Sequence, residues 1–457
     1  MLATNLGSSG QYRVRKIIDP VTTGPVTLEP ANLNELRNVL DPSGRTPLPV
    51  RPQGTGTAST NCNASETGTT VKLTRLNRVL NIDTCNHTVT AQAGVLLADL
   101  VRELAEHGLE LMGGCDLQRR TVGGAICAPC FGPGIGNNGG YFSSHVIAMK
   151  FVRADGELLK VVQDQKNLLA AFRTSFGTFG VLYEATMRVR PIRTFTASHR
   201  RVSTEQFSSA VDALANGDVG FKFYLMPYRD RVYLDLRRYD TGSGKAYKVP
   251  WKLKDWGERT VLPQLFKSLN RVVPFQSVRY RLIDSISEIT QGIVNSRLVK
   301  TGSNATSQWN CHRRAGARRC LRSTWCFPAA NCSVIVKAYR DFCESTYERS
   351  RYRCDMPAVG FRLCRDTTSL LSPSFDESMI TITTASTQGQ GWEDFVIDLA
   401  EFAEKWGGTP LISESRALRA EHVIQTYDKR LDFFRRMRRQ LDPENRLLSP
   451  FLAQFCQ

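Results

Sequence analysis

Residues up to about 190 combine strand-like alternation with two helical patterns. Segment 96–107 places Leu97, Leu100, Val101 and Leu104 on one helical face, and segment 167–172 has a shorter helical pattern. Apolar and polar residues alternate as in strands in segments 70–74, 88–93, 146–152, 157–161 and 181–189. Since strands precede and follow each helix without a strict βαβ repeat, the pattern predicts an α+β domain.

The helical and strand patterns after Pro191 predict a second folded unit. Ser203 and Gln206 form a capping box at the start of a helix that runs to about Asn216. Further helical patterns cover 330–347 and 392–406, and strand patterns cover 219–224, 231–236, 358–364 and 379–384. This order predicts an antiparallel sheet covered by helices on one face. Segment 241–323 mixes Pro, Trp and Lys with isolated helical turns, so loops and substrate-facing elements are expected there.

The C-terminal residues have the pattern of a long helix, from 417 to 441, that stops at Asp442 and Pro443. A short apolar stretch follows at 447–452. A chain of 457 residues exceeds what one hydrophobic core normally serves. We therefore predict three parts: residues 1–195, residues 196–405, and a C-terminal segment 406–457 that packs back on the first part.

Two turns rich in Gly and Thr follow extended segments in the first part. One is Val50-Arg51-Pro52-Gln53-Gly54-Thr55-Gly56-Thr57, and the other is Thr121-Val122-Gly123-Gly124. Glycines let several backbone N–H groups point at one spot with no side chain in the way, and such groups bind anions. The two turns are therefore a candidate diphosphate site. The chain has no GxGxxG at the start of a helix, which disfavours the dinucleotide fold with that fingerprint.

Lysine and arginine outnumber aspartate and glutamate by 60 to 43, which gives a formal charge of +17. A generally basic surface explains this excess; an acidic ligand, an anionic lipid or a nucleic acid are the alternatives. Basic residues cluster at Arg313, Arg314, Arg318, Arg319 and Arg322, and again at Arg435, Arg436, Arg438 and Arg439. The second cluster is expected to form a solvated helix face. Nucleic acid is disfavoured because no known binding module is present.

Thirteen cysteines occur without regular spacing, and no secretory signal is visible. Reduced thiols in a cytoplasmic protein are expected, with a position at a membrane surface as an alternative. No run of about 18 apolar residues occurs, so a spanning helix is not predicted. The CxxC sequence formed by Cys127 and Cys130 lacks a second pair at zinc-site spacing, so no metal site is predicted.

Short stretches in both halves resemble the flavoproteins of the vanillyl-alcohol oxidase superfamily, which have a PCMH-type FAD-binding domain. Within it, the chain is similar to aldonolactone oxidases and decaprenylphosphoryl-ribose oxidase. The similar stretches are 51–57, 76–79, 93–95, 121–124, 154–157, 177–181, 359–362, 370–373, 414–416 and 441–443. Each stretch alone is common, but their order and spacing are specific. The resemblance implies a two-part FAD-binding domain and a substrate domain built on an antiparallel sheet.

The resemblance also implies an activity. FAD would accept a hydride from a CH–OH carbon of a small oxygen-rich or anionic substrate, and O2 or another acceptor would reoxidise it. The cofactor-binding residues it implies are Arg51, Pro52, Gln53, Gly54, Thr55, Gly56, Thr57, Thr121, Val122, Gly123, Gly124, Ala128, Pro129, Cys130, Phe131, Gly180 and Val181. The residues predicted for catalysis are Arg362, which the resemblance implies, together with Cys130 and Glu414. The alternative is a flavin fold that has lost catalysis and acts through its basic surface as an interaction protein.

Two departures from the family concern attachment of the flavin. Many relatives carry a histidine in the first turn that bonds to the flavin, and Gly56 stands in its place here. A cysteine that some relatives carry just before the second turn is replaced by Arg119 and Arg120. FAD is therefore expected to be noncovalent. Cys127 and Cys130 are interpreted as small packing residues; a redox-active thiol pair and an unusual attachment point are the alternatives.

Two further departures concern the substrate. Aldonolactone oxidases carry a Glu and an Arg two residues apart on a strand, so that both side chains share one face. Arg362 matches the Arg and is expected to bind a carboxylate, lactone carbonyl or oxyanion, whereas Gly360 stands where the Glu would be. The lysine of a His-Trp-x-Lys motif falls at about Ser413. Another group must then take the hydroxyl proton, and the candidates are Glu414, Tyr427, His422 and His145.

Overall fold

The computed structural model describes residues 25–64, 67–113, 119–133, 135, 140–216, 219–239, 257, 261–298, 302–304 and 320–457. Arg313, Arg314, Arg318 and Arg319 of the first basic cluster lie outside these ranges. The strands are β1 (Val26–Leu28), β2 (Val50–Gln53), β3 (Thr69–Lys72), β4 (Val79–Asp83), β5 (Thr88–Gln92), β6 (Leu109–Leu111), β7 (Val146–Val152), β8 (Leu158–Val162), β9 (Val181–Pro191), β10 (Thr194–Val202), β11 (Gly220–Met226), β12 (Arg231–Tyr239), β13 (Gly302–Asn304), β14 (Leu321–Pro328), β15 (Ala358–Leu363), β16 (Met379–Ser386) and β17 (Thr409–Pro410). The α-helices are α1 (Leu33–Leu40), α2 (Leu97–Glu106), α3 (Val122–Cys127), α4 (Lys166–Phe172), α5 (Thr204–Asn216), α6 (Leu262–Val272), α7 (Gln276–Leu298), α8 (Cys332–Ser350), α9 (Trp392–Lys405), α10 (Ala420–Leu441) and α11 (Pro450–Cys456).

Two sheets form the first part of the chain. Strands β1, β3 and β2 make a small parallel sheet, and β4, β5, β9, β7 and β8 make an antiparallel one with β6 added to β9. Helix α2 forms where the pattern predicts it, because Leu97, Leu100 and Leu104 are buried on one face. The first glycine-rich turn follows β2, and the second one begins α3. Both turns are therefore held by regular elements.

An eight-stranded sheet dominates the second part. Its order is β13, β10, β12, β11, β15, β16, β14 and β17, and each neighbouring pair is antiparallel. Helices α5, α8 and α9 pack on one face through a buried cluster that includes Phe207, Phe223, Ile335 and Trp392. The prediction of an antiparallel sheet with helices on one face is confirmed.

The opposite face of this sheet lies against the first part of the chain. Phe361 on β15 packs edge-on against Phe131, with 5.8 Å between the ring centroids. Farther along the sheet, Ile135 clusters with Phe195 and Ala197 on β10. The segment that follows α3 therefore runs along this face.

The C-terminal segment joins the core of the first part. Leu431, Phe434 and Leu452 belong to the same buried cluster as the strands of the six-stranded sheet, and the Phe434 ring lies 4.5 Å from that of Phe179 between centroids. Helix α10 begins three residues later than the pattern predicts and is kinked at Asp428, where φ is +36°. This packing places the residues before α10 beside the first glycine-rich turn.

The arginine cluster near the C-terminus is only partly solvated, in contrast to the expectation. Arg436 and Arg439 are exposed, but Arg438 is buried and donates to the carbonyl of Cys456 at 2.9 Å. Arg435 donates to the carbonyl of Phe455 at 3.0 Å. These guanidinium groups hold α11 against α10, which is a structural role.

Segment 241–323 differs from the expectation of loops and isolated turns, because residues 261–298 form helices α6 and α7. Tyr280 and Ile283 are buried against the body, whereas Val278 and Leu282 face solvent. Apolar residues on both sides of α7 obscure the helical period in the sequence. In the part of the chain that is described, no helix is long and apolar enough to cross a membrane.

Candidate functional site

The folded chain brings the two glycine-rich turns into contact. A Cβ atom added to Gly54 would lie 2.3 Å from Thr121 Oγ1, so this approach requires a glycine. The Thr55 hydroxyl donates to the carbonyl of Arg119 at 2.6 Å across the same gap. Gly177 approaches Pro52 in the same way, since its Cβ would lie 2.4 Å from Pro52 Cγ.

A solvent-open cavity with about 710 Å³ of empty space lies between these turns. The predicted cofactor residues that line it are Pro52, Gln53, Gly54, Thr55, Gly56, Thr57, Thr121, Gly123, Gly124 and Ala128. Sequence reasoning missed Ala58, Cys62, Asn63, Leu73, Phe176, Gly177 and Leu182 as lining residues. Ordinary apolar or loop residues such as these carry no local signal of a site. The lining also includes Arg120, Cys127 and Ser413, which the sequence singled out for other reasons.

The two turns differ in what their backbone N–H groups can bind. In the described residues, the N–H groups of Gly54, Thr55 and Thr57 have no protein acceptor. In the second turn, Val122 N–H donates to Val95 O and Gly123 N–H to Ala93 O, both at 2.8 Å. Gly124 N–H donates to Thr121 Oγ1 at 3.1 Å. The first turn therefore has backbone donors available to a ligand, and the second forms a side-chain-poor wall.

Arg51 does not line the cavity, although the resemblance implied a cofactor contact. Its buried guanidinium donates to four backbone carbonyls, those of Gly177, Leu447, Cys62 and Phe176. Burial lowers the pKa of Arg51 to about 10. The Arg51 side chain holds the first turn against the C-terminal segment. It therefore stabilises the position of the turn and has a structural role rather than a ligand-binding one.

The remaining residues implied for the cofactor also lie outside the lining. Val122 and Cys130 are buried in the core, and Phe131 packs on Tyr141 with 5.3 Å between ring centroids. Pro129 gives its carbonyl to Arg120. Gly180, with φ of +145°, and Val181 stand just before Leu182, the residue of β9 that reaches the cavity.

Ser413 brings an unused hydrogen-bonding group to the cavity. Its hydroxyl is buried and has no hydrogen-bond partner within the described residues. The segment is held in place because Ser59 N–H donates to Ser413 O at 2.9 Å and the Thr60 hydroxyl to Ile412 O at 2.7 Å. Buried polar groups in native proteins are normally satisfied, so this hydroxyl indicates a polar ligand or water in the cavity.

Glu414 is engaged in a buried ion pair. Its carboxylate binds the guanidinium of Arg120, and the two side chains are 16% and 5% exposed. Arg120 also donates to the carbonyl of Pro129 at 2.6 Å. This pair links the start of the second turn to the C-terminal segment. A carboxylate held in this way is a fixed counter-charge for Arg120, which weakens the case for Glu414 as a base.

Two thiols of the first part, those of Cys127 and Cys130, lie at or near the cavity. Burial raises the pKa of Cys127, which lines the cavity, to about 12, so its thiol is protonated at neutral pH. Cys130 is buried in the core of the first part. No disulfide joins the cysteines of the described residues, and no group of three or more metal-binding side chains occurs among these residues.

Arg362 and Gly360 face the helices rather than the first part of the chain. A Cβ on Gly360 would lie 2.2 Å from Cζ of Phe223, a residue of the helix-side cluster. Arg362 pairs with Ile380 of the same cluster, and cross-strand partners share a face. The residues of β15 that face the first part are Phe361 and Leu363. The implied contact between Arg362 and the substrate is therefore inconsistent with the strand register.

A polar row that sequence reasoning missed lies on the face toward the first part. His199, Asp235 and Lys222 are successive cross-strand partners on β10, β12 and β11, and the row ends where Lys222 pairs with Phe361 on β15. Asp235 is fully buried and holds Arg237 by two hydrogen bonds, Nε to Oδ1 at 3.1 Å and Nη2 to Oδ2 at 2.7 Å. An acidic residue and an arginine two positions apart on a strand are the signal that could have found it.

The other candidate bases do not line the cavity. The Tyr427 hydroxyl donates to Pro410 O at 2.9 Å, and burial raises its pKa. Burial lowers the pKa of His422, which contacts Arg419 and Glu404. Burial and the positive charge of Arg173 lower the pKa of His145 to about 4. None of the three is arranged as a base at this cavity.

Two family models match the chain. One, described as FAD binding domain, matches residues 25–161, and one described as D-arabinono-1,4-lactone oxidase matches residues 185–455. The first covers both glycine-rich turns. The second covers the eight-stranded sheet and the C-terminal segment, which is more than half of the chain.

The similarity to curated proteins and to solved structures agrees with these two family matches. The chain is 23% identical over 427 residues to L-gulono-1,4-lactone dehydrogenase of Mycobacterium tuberculosis, across 93% of this chain and 94% of that protein. It is 23% identical over 441 residues to L-gulonolactone oxidase of Scyliorhinus torazame, with coverages of 93% and 94%. Cholesterol oxidase of Brevibacterium sterolicum superposes with a TM-score of 0.77 at 14% identity, across 94% of each chain. That likeness concerns the fold alone.

Proposed function

Because the chain belongs to the D-arabinono-1,4-lactone oxidase family and carries an FAD-binding domain, it is an FAD-dependent oxidoreductase of a hydroxylated small molecule, and we propose that the substrate is an aldono-1,4-lactone. Two relatives, L-gulono-1,4-lactone dehydrogenase and L-gulonolactone oxidase, support this substrate class by their names. A flavin fold that has lost catalysis is not favoured.

The observation that carries the proposal is the cavity between the two glycine-rich turns. Its first turn offers three backbone donors to a diphosphate, and the Ser413 hydroxyl offers a fourth polar contact. Arg120 adds a positive charge at the wall, offset by Glu414. These groups fit FAD, which supplies the hydride acceptor when bound.

We further propose that Arg237 binds an oxygen atom of the substrate and that Asp235 positions its guanidinium. Arginine presents a planar set of donors that matches carbonyl and carboxylate oxygens, and a buried partner fixes the direction of that set. Lys222 and His199 flank Asp235 in the same row. A lactone ring carries a carbonyl and several hydroxyl groups, so a row of this kind suits it better than the apolar side chains of β15 do.

We also propose that the chain divides into residues 1–195 and residues 196–405, and that residues 406–457 pack back on the first part. The content of the two main buried clusters supports this division, since one combines residues before 190 with C-terminal ones and only Leu371 from between them, and the other lies between 207 and 403. The arginine-rich C-terminal helix is not proposed as a lipid site, because Arg435 and Arg438 bind backbone carbonyls.

Anaerobic addition of L-gulono-1,4-lactone or L-galactono-1,4-lactone to the purified holoprotein is expected to bleach the flavin absorbance. The lactone loses a hydride to the cofactor, so the oxidised flavin bands disappear when no acceptor is present. Stopped-flow absorbance measures the rate, and the corresponding open-chain sugar acids serve as the comparison. If neither lactone reduces the flavin while another class of alcohol does, the assignment of substrate class is wrong.

The flavin is expected to be released when the protein is denatured with trichloroacetic acid. Gly56 has no side chain that could bond to it, and the Cys127 thiol is protonated because burial raises its pKa to about 12. Absorbance of the supernatant and pellet measures the distribution. Flavin in the washed pellet would contradict noncovalent binding, and mass spectrometry of the flavin peptide would then identify the linked residue.

A further inference from the structure

Helices α6 and α7 form a hairpin with an apolar outer surface. Of the thirteen large apolar side chains exposed in the described residues, seven lie between 262 and 293. The most exposed are Val272 at 76% and Phe275 at 72%, at the turn that joins the helices. We call the stretch from Val272 to Phe275 the hairpin tip. Such a concentration of exposed apolar side chains is unusual for a surface that binds no partner.

The exposed residues of α7 and the tip share one side of the helix. Phe275, Val278, Leu282 and Ile289 follow one another at intervals of three, four and seven residues, so they form one stripe. The opposite side of the hairpin packs on the body through Leu262, Phe266, Tyr280 and Ile283. The stripe is therefore presented outward by a helix that is itself fixed.

The charges beside the stripe are all positive near the tip. Residues 261–283 contain four basic residues and no acidic residue. Lys267, Arg271 and Arg281 are exposed next to the apolar side chains. Apolar side chains among basic ones match the interface of a membrane that contains anionic lipids. A symmetric pairing of two hairpins would instead bring these like charges together.

We propose that the hairpin tip docks the protein on an anionic lipid bilayer, with Val272 and Phe275 entering the headgroup region and the three exposed basic residues binding lipid phosphate or carboxylate groups. This surface is separate from the flavin cavity, since none of its residues lines that cavity. The bound enzyme would remain active at the membrane, and the proposal does not depend on the identity of the substrate.

Vesicle flotation of the holoprotein tests the proposal. Vesicles of phosphatidylcholine with about one third phosphatidylserine are expected to carry the wild type, and neutral vesicles are expected to carry at least tenfold less. The double variant Val272→Glu and Phe275→Glu is expected to lose at least tenfold of the binding to anionic vesicles. Both residues are exposed, so FAD content and the melting temperature are expected to stay at the wild-type values.

The matched control is the double variant Val334→Glu and Ile397→Glu, which adds the same charge at exposed apolar positions of α8 and α9. It is expected to float like the wild type. The proposal is overturned if the wild type does not bind anionic vesicles or if the tip variant and the control lose equal binding. It is also overturned if light scattering detects a wild-type dimer that the tip variant abolishes, because the surface then binds a second copy of the chain.

Discussion

Replacing Gly54 by alanine is expected to weaken FAD binding at least tenfold, or about 1.4 kcal/mol. The added methyl group would lie 2.3 Å from Thr121 Oγ1 and 3.1 Å from its Cγ2. The turns must then separate by about 1 Å to reach ordinary contact distances. The N–H donors of the first turn would move away from the diphosphate position, so affinity falls while the two domain cores remain intact. Titration of apoprotein with FAD, followed by flavin fluorescence, measures the effect.

A second substitution separates this contact from general damage. Thr121→Ala removes the two atoms closest to the new methyl group, although it also removes the cap on Gly124 N–H. The double variant is therefore expected to bind FAD better than the sum of the single effects allows. Gly389→Ala is the control, because nothing lies within 4 Å of a Cβ at that position. Wild-type affinity in Gly54→Ala would show that the turns do not form the cofactor site.

The side-chain-poor character of the two turns could be predicted because its cause is local, whereas their contact depends on the tertiary fold. Glycine and threonine at fixed positions after a strand give a side-chain-poor turn wherever they occur. The sheet and its helices were predictable for the same reason, since the periods of 2 and 3.6 reflect burial of one side of each element. Even so, the N–H groups of Val122 and Gly123 are consumed by Val95 and Ala93. That detail depends on contacts between α3 and the residues just after β5, which no local pattern specifies.

The substrate side was not predictable because a strand's facing depends on its register with neighbours. A family likeness at Gly360 and Arg362 says nothing about which face they occupy, and pairing with Phe223 and Ile380 places them toward the helices. The Arg120 and Glu414 pair joins residues 294 positions apart. Long-range ion pairs of this kind follow from the tertiary fold, so the sequence gives no hint that Glu414 is already engaged.

Replacing Arg237 by glutamine is expected to lower kcat/KM for the lactone about 100-fold, or about 2.7 kcal/mol, mainly through KM. The guanidinium is proposed to bind the substrate, and glutamine keeps much of the volume but loses the charge and the two-donor fork. The substitution also breaks the buried ion pair with Asp235, which is expected to lower stability. FAD content and melting temperature must therefore be measured on the same samples. Arg237→Lys, which keeps the charge, is expected to recover part of the loss.

The midpoint potential of the bound flavin gives a readout that needs no substrate. Arg237→Gln removes a positive charge and is expected to lower the potential, whereas Asp235→Asn removes a negative charge and is expected to raise it. A merely structural role would not produce shifts of opposite sign. Arg353→Gln is the matched control, because Arg353 forms a comparably buried pair with Asp284 of α7 at 2.7 Å and also donates to the carbonyl of Tyr280, away from the sheet face that carries Asp235 and Arg237. If all three variants change the midpoint potential alike, or if none does, Asp235 and Arg237 are not part of the substrate site. That conclusion holds even if the lactones reduce the flavin of the wild type.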